Sequence, residues 1–375
     1  MPRWSLLLLV TGAAASIAAA VSDPSAAGAA AGQTWPAFVL VAGLLLVGLA
    51  AAGDHLFAAA GARLAGSARG GTALFVGVTV LVSAVTAVLN LDTSVAFLSP
   101  VLVHTARKRG DDAMVLLSLC LLMSNAASLL LPGSNLTNLI VLGSRHLAGG
   151  TFFVRMALPW LAAVSVTAVV VAVTGRALLR RRVEVAPERE RAELGAGLIG
   201  IVAVVALVLA VPDPAPEVAA VGAATALFAL TRRRVTLPDV MRTLDLPVLA
   251  GLFGIAVALG ALGRVWAGPA NALGHLDPWA TAAFAAAATV VVNNLPAAAL
   301  LSAHPPAHPL SLLIGLNLGP NLFFSGSLSW VLWYASSKAA GIRPDAARTV
   351  RTGLIAAPLS IAAAVGVLLL VGSAS

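Results

Sequence analysis

The chain has 375 residues, of which 59% are hydrophobic and 10% are charged. A water-soluble domain carries about 25% charged residues, so this composition excludes an ordinary soluble enzyme and predicts an all-α integral membrane protein. The formal net charge of +8 does not indicate nucleic-acid binding, because the basic residues cluster at the ends of apolar runs. The single cysteine, Cys120, excludes an internal disulfide framework and a thiolate metal site within one chain.

Apolar runs that can cross a bilayer, which takes about 20 residues each, recur along the chain. We predict spans at 4–21, 36–52, 113–143, 156–176, 197–211, 216–231, 245–263, 309–337 and 354–372. The first run also fits a cleavable signal peptide, since Arg3 precedes an apolar stretch that ends in three alanines at 18–20. In either case residues 22–35 are expected outside the membrane.

Two further apolar runs, 72–105 and 278–303, have a polar break in the middle. The breaks are 90–93 (Asn-Leu-Asp-Thr) and 293–296 (Asn-Asn-Leu-Pro), and each run is predicted to be a re-entrant helical hairpin. A second break follows in each half, at 131–135 and at 324–327, so that the spans 113–143 and 309–337 are predicted to be broken helices.

The distribution of charge predicts how these elements cross the membrane. With Arg3 in the cytoplasm, nearly all of the 23 basic residues fall inside, and only Arg145, Arg155 and Arg264 fall outside. The two halves then have opposite orientations, which is an inverted-topology repeat. The predicted units are 1–176, a charged cytoplasmic linker at 177–195, and 196–375, with hairpin 72–105 entering from the cytoplasm and hairpin 278–303 from outside.

Amide and hydroxyl groups at membrane depth are costly unless they line a protein-enclosed cavity. Paired interruptions in the two halves of a membrane protein are typical of a transporter's binding site. The candidate substrate-binding residues are Asn90, Thr93, Ser134, Asn135, Asn138, Asn293, Asn294, Asn317, Gly326 and Ser327. None is basic, which favours a small oxygen-rich anion or oxyacid held by helix dipoles and amides, and no metal or other cofactor is expected. In the alternative interpretation, the asparagines only join helices.

Asp92 is the only carboxylate predicted deep in the membrane, whereas Asp54 and Asp245 fall at span ends and are expected at the interface. A carboxyl group withdrawn from water can exchange a proton during transport. Asp92 is therefore the candidate coupling residue for a proton or a sodium ion. Its structural alternative is the N-cap of a hairpin helix.

The polar motifs resemble those of the arsenite permease family of the ion transporter superfamily. The resemblance begins near residue 36 and depends on 90–100, 134–138, 292–296 and 318–328. It implies an inverted-repeat secondary transporter that extrudes arsenite or antimonite across a bacterial inner membrane. It also implies a homodimer and, as in some members, a cytoplasmic ATPase partner.

This chain departs from the family pattern at two positions. Asn317 replaces the usual acidic residue before Leu-Gly-Pro, and Asn321 replaces the usual lysine after it. These changes leave other substrates open. The alternatives are a sodium/proton antiporter, a dicarboxylate or citrate-type permease of the same superfamily, and a non-transporting membrane scaffold.

Overall fold

The computed structural model of the protein describes residues 3–67, 70–143, 149–183, 193, 195–211 and 213–372. Within these residues every regular element is helical, apart from one isolated bridge between Gly70 and Arg182. The first half contains α1 (Arg3–Ser22), α2 (Pro24–Gly53), α3 (Leu56–Ser67), α4 (Gly71–Leu89), α5 (Leu91–Arg109), α6 (Ala113–Ala127), α7 (Leu136–Leu142) and α8 (Gly149–Thr174), followed by the short α9 (Arg176–Leu179).

The second half repeats much of this order. It contains α10 (Ala196–Ala210), α11 (Ala215–Thr231), α12 (Leu237–Leu244), α13 (Leu246–Val265), α14 (Gly268–His275), α15 (Pro278–Val292), α16 (Asn294–Leu301), α17 (Pro309–Leu318), α18 (Leu328–Ala339) and α19 (Ala346–Gly372). Most of the predicted linker and Arg145 lie outside the described residues.

Six helical segments in the described chain are long and apolar enough to cross a membrane: α1, α2, α4, α8, the segment formed by α12 and α13, and α19. Shorter apolar helices, including α6, α10, α11 and α15, accompany them. The predicted all-α, multi-pass membrane architecture is therefore confirmed.

The two halves share one sequence of elements. A long helix (α2 or α13), a short helix (α3 or α14), an interrupted hairpin (α4–α5 or α15–α16), a broken helix (α6–α7 or α17–α18) and a final long helix (α8 or α19) follow one another in each half. The breaks in α6–α7 and α17–α18 contain 3-10 turns at Pro132–Ser134 and Gly319–Leu322. This order agrees with the predicted repeat, whose inversion across the membrane stays a prediction.

Several helices extend beyond their predicted limits. Residues 24–35, which are expected outside the membrane, form the first three turns of α2. Asp23 caps this helix by accepting a hydrogen bond from Ala26 N at 2.8 Å, and Pro24 occupies its first turn. The stretch that follows is rich in alanine, which has the highest helix propensity of any residue type. It is therefore helical although its hydrophobicity is modest.

Glycines join the first long helices of the two halves to helices from the opposite half. Gly12 of α1 lies against Gly251 and Gly254 of α13, while Gly43 of α2 lies against Gly222 of α11. A Cβ atom added at any of these glycines would collide with the facing backbone, so the helices approach at backbone distance.

Asp54 at the end of α2 is buried within the protein. Its carboxylate forms an ion pair with Arg234, which also pairs with Glu193. The other carboxyl oxygen accepts a hydrogen bond from Gly197 N, in the first turn of α10, at 2.8 Å. The hydrogen bond with Asp54 raises the pKa of the Arg234 guanidinium. Asp54 therefore fixes the junction of α2, α10 and the loop after α11.

Candidate functional site

Each hairpin turns at an asparagine with a positive φ. Asn90 separates α4 from α5 with φ 130°, and Asn293 separates α15 from α16 with φ 75°. With extended ψ values of 172° and 153°, both lie in a backbone region that is essentially reserved for glycine. The asparagine side chains compensate by capping: Asn90 Oδ1 accepts from Thr93 N at 2.7 Å, and Asn293 Oδ1 accepts from Leu295 N at 3.3 Å.

The breaks in the two broken helices are also helix starts. Asn135 caps α7 by accepting from Thr137 N at 3.2 Å, and Ser327 is the N-cap residue of α18. The second tip is tied to the second break, because Asn294 N donates to Gly326 O at 2.8 Å. Asn293 Nδ2 donates to Ser325 O at 3.1 Å in the same loop.

These four helix starts meet at one small cavity of about 20 Å³. Its lining consists of Leu91, Asp92, Asn135, Leu136, Leu252, Asn293, Asn294, Leu295, Ser327 and Leu328. The N-terminal ends of α5 and α7 come from the first half, and those of α16 and α18 come from the second. Because a helix N-terminus carries partial positive charge, the four ends favour negative charge at the cavity, although no basic side chain lines it and the Asp92 carboxylate does.

Asp92 contributes the only carboxylate of this lining. Its side chain is in the first turn of α5, is 9% exposed, and has one oxygen without a hydrogen-bond partner among the described residues. The amide nitrogen of Asn90 and the hydroxyl of Thr93 are likewise buried without such a partner. The first hairpin tip therefore retains hydrogen-bonding capacity that the protein does not use.

A network of amides lies behind the cavity and joins the two halves. Asn317 Oδ1 accepts from Ser128 Oγ and from Asn135 Nδ2, both at 2.6 Å. Asn317 Nδ2 donates to Asn138 Oδ1 and to Leu313 O, both at 2.8 Å. All hydrogen-bonding positions of the Asn317 amide are thus occupied by protein, and Asn317 holds Asn135 in place at the cavity wall.

A second buried amide pair was not anticipated from the sequence. Asn125 Nδ2 donates to Asn321 Oδ1 at 2.9 Å, and Asn321 Nδ2 donates to Leu122 O at 3.0 Å. Asn125 and Ser128 lie one turn apart at the end of α6. That spacing, just before the predicted break, was the available signal for a polar face directed at the second half.

The predicted site residues separate into three groups. Asn135, Asn293, Asn294, Ser327 and the coupling candidate Asp92 line the cavity. Asn90 and Thr93 form the adjacent tip. The remaining candidates lie behind: Asn138 and Asn317 belong to the amide network, Ser134 Oγ donates to Ala87 O at 2.7 Å, and Gly326 packs against Pro320.

A larger cavity of about 370 Å³ lies between α2, α7 and the turn that joins α10 to α11. Its lining is mostly apolar and includes Gln33, Trp35, Pro132, Gly133 and Asp213. We assign the site to the small cavity instead, because the helix ends and the amide side chains of both halves converge there.

The fold resembles that of a solved membrane protein, the YdaH transporter of Alcanivorax borkumensis. The match to its crystal structure covers 93% of this chain and 88% of the YdaH chain, with a TM-score of 0.53 and 15% sequence identity. No curated protein matches the chain by sequence. The fold, with interrupted hairpins around a shared cavity, is that of a multi-pass membrane transporter.

The family follows from the sequence of most of the chain. The model of the family described as citrate transporter matches residues 3–317. The chain therefore belongs to the CitMHS citrate transporter family of the ion transporter superfamily. This finding supports the superfamily resemblance without supporting the arsenite permeases in particular, and it identifies a transporter rather than an enzyme.

Proposed function

We propose that the protein is a secondary active transporter of a small carboxylate anion of the citrate type. The observation that carries the proposal is the convergence of four helix N-termini, two from each half, on one cavity. Backbone N–H groups at helix starts bind carboxylates without a basic side chain, and discontinuous helices serve this purpose in other transporters. The family to which the chain belongs supports the same class of solute.

The cavity volume indicates how the substrate would enter. About 20 Å³ is close to the space of a single water molecule, which is too small for a six-carbon tricarboxylate. We infer that this conformation is closed, and that the hairpin tips at Asn90 and Asn293 separate to admit the substrate. One carboxylate group would then lie among the helix ends.

Asp92 is the proposed coupling residue. It is the only carboxylate in the cavity lining, so binding an anion beside it is favourable only when the Asp92 charge is neutralised by a proton or a sodium ion. That requirement links substrate binding to the coupling ion. Sodium/proton exchange alone is less well supported, since a cation antiporter needs more than one membrane carboxylate.

Arsenite or antimonite efflux is the second candidate function. The specific observation in its favour is the small volume and uncharged character of most of the lining, which suit a compact neutral oxyacid. A cytoplasmic ATPase partner is predicted only for this candidate. The homodimer and the bacterial inner membrane are predicted for both.

The test is transport by the purified protein in proteoliposomes. Radiolabelled citrate and arsenite are offered separately under an imposed pH gradient, a sodium gradient and a membrane potential. We expect gradient-driven citrate transport that Asn294→Ala and Asn90→Ala abolish while both variants remain folded and inserted. Asn271→Ala, at an exposed position of α14, is the matched control and should transport normally.

The outcomes separate the two candidate functions. Transport of arsenite without citrate would replace the first proposal with the second. Normal transport by both tip variants would show that the asparagines only join helices, and the assignment of the site would then be wrong.

A further inference from the structure

Gln33 connects the far ends of two helices whose starts line the substrate cavity. Its Nε2 group donates to Ile140 O at 2.9 Å, near the end of α7. The same group donates to Ser302 O and Ser302 Oγ, both at 3.2 Å, at the C-cap of α16. One side chain of α2 therefore bonds the C-terminal ends of α7 and α16, which come from different halves of the chain.

Arg264 fixes the orientation of the Gln33 amide. Arg264 Nη2 donates to Gln33 Oε1 at 2.6 Å, and Arg264 Nη1 donates to Gly260 O at 2.8 Å. Because arginine has donors and no acceptor, the Gln33 carbonyl must face Arg264 and its amino group must face the two helix ends. Arg264 has no ion pair with a carboxylate in the described part of the chain.

The location of these bonds matters because helix ends carry unpaired carbonyls. Ile140 O is among the last four carbonyls of α7, which have no partner within the helix. Donors and positive charge are favourable at such C-terminal ends. Gln33 supplies the donors and Arg264 supplies the positive charge beside them. Both lie at the C-terminal ends of α7 and α16, which point away from the cavity.

A comparable contact is found on the other pair of site helices. Arg107, in the last turn of α5, donates from Nη2 to Gly341 O at 3.0 Å, just beyond the end of α18. Thus α5 and α18 start at the cavity and are joined beyond it, as α7 and α16 are. This second contact indicates that joining the distal ends is a feature of the arrangement rather than an accident of one side chain.

We infer that Gln33, oriented by Arg264, is a positioning residue for the substrate site. By holding the C-terminal ends of α7 and α16 together, it sets the relative position of the helix starts at Asn135 and Asn294. The inference rests on the proposed function for its meaning in transport. Its structural part, the joining of two helices by one amide, can be measured without any substrate.

The experiment compares three variants of the full chain in lipid nanodiscs and proteoliposomes. Gln33→Ala removes all the bonds. Gln33→Glu retains an oxygen for Arg264 but loses the donors to α7 and α16, and it still tests the inference if Gln33→Ala fails to insert. Thr34→Ala is the matched control, because the neighbouring Thr34 hydroxyl donates to Ala30 O of its own helix, at 2.5 Å, and to no other group among the described residues.

We expect both Gln33 variants to exchange backbone hydrogen faster, by about tenfold, in the peptides that cover 136–142 and 294–301. The citrate KM should rise by about tenfold, as expected for the loss of one or two hydrogen bonds, with a much smaller change in the maximal rate. Thr34→Ala should change neither. A purely local role of Gln33 in packing against Arg264 predicts instead that Gln33→Glu behaves as the wild type.

The two readouts keep this inference separate from the proposed function. Unchanged hydrogen exchange at both helices in both Gln33 variants would overturn the inference, whatever the transport result. Faster exchange at both helices in a protein whose wild type carries no citrate would support the inference and count against the proposed substrate.

Discussion

Asn90 and Asn293 adopt a backbone conformation that favours glycine, yet asparagine occupies both positions. Holding a side chain there costs about 1–3 kcal/mol, and the cap that the side chain provides returns about 1 kcal/mol. The remaining strain falls at the two hairpin tips, beside the cavity. The same compromise at equivalent positions of both halves indicates that the amides have a role besides stability.

Substituting Asn293 tests this interpretation. Asn293→Gly removes the strain and, as an N-cap residue, glycine costs only a few tenths of a kcal/mol, so we expect thermal stability at or above that of the wild type. Asn293→Ala keeps the strain and loses the cap, so it should be less stable than Asn293→Gly by roughly 1–3 kcal/mol. Thermal unfolding in detergent measures both.

Asn271 provides the control for that comparison. It lies inside α14, where alanine is a better helix former than glycine by about 1 kcal/mol. The order of stability should therefore reverse, with Asn271→Ala more stable than Asn271→Gly. The same order at both positions would show that Asn293 is not strained.

Asp92 gives a second prediction at this scale. Asp92→Asn keeps the shape of the side chain but removes its titration, so transport should lose its dependence on an imposed pH gradient while downhill exchange continues. Uptake into proteoliposomes with and without the gradient measures this. Asp345→Asn is the control, because Asp345 is a carboxylate near a helix start (it accepts from Arg348 N at 2.9 Å) that does not belong to the cavity lining. The alternative role of Asp92 as the N-cap of the hairpin helix is wrong, because Asn90 occupies that position in α5. Unchanged gradient dependence in Asp92→Asn would therefore leave Asp92 without a role in coupling.

At the scale of helices, the glycine contacts determine which elements lie together. Gly12 and Gly254 let α1 approach α13 at backbone distance, and Gly43 and Gly222 do the same for α2 and α11. Within a bilayer, van der Waals packing of this kind drives helix association, because burial of apolar surface supplies little. The two contacts thus fasten α1 and α11 to the long helices of the opposite halves.

A single added methyl group should separate α1 from α13. We expect Gly12→Ala to lower the unfolding temperature, at a cost of about 1–3 kcal/mol for overpacking. Gly28→Ala is the control: its added Cβ meets no atom within 4 Å, and alanine favours the helix, so this variant should be neutral or more stable. Equal stability of the two variants would contradict the close packing of α1.

The hairpins and breaks could be predicted from sequence because each contains polar residues in an otherwise apolar run. The short helices α3, α12 and α14 could not, since they are too short to span a membrane and have no polar interruption. Asn90, Asn293 and Asn294 were found by the same polar signal. Which of the polar candidates line the cavity and which support it depends on the direction of each side chain, and the sequence does not give that direction. Asn317 is an example, because its four hydrogen-bond partners in the protein come from three separate segments.

For the whole molecule, the central prediction is the opposite orientation of the two halves. It depends on an odd number of crossings between them and on the strong bias of basic residues toward one side. Both hairpin tips reach one cavity, as expected if one hairpin enters from each face of the membrane.

Cysteine labelling tests this topology directly. Cysteines introduced at Arg189, which lies outside the described residues, and at Asp213 are separated by α10 alone and should react with an impermeant reagent from opposite sides of the membrane. The background is favourable because the single native cysteine, Cys120, is buried. Labelling of both positions from the same side would contradict the inverted repeat.

Because both halves line the cavity, neither half contains the complete cavity by itself. Each half supplies two of the four helix starts, and the amide of Asn317 reaches across to hold Asn135. A polypeptide of half this length would possess a hairpin, a broken helix and half of the proposed site, and it could complete that site only by joining a second copy of itself. In the present chain that partnership is covalent, so the two halves are always made in equal number and no half can exchange its partner.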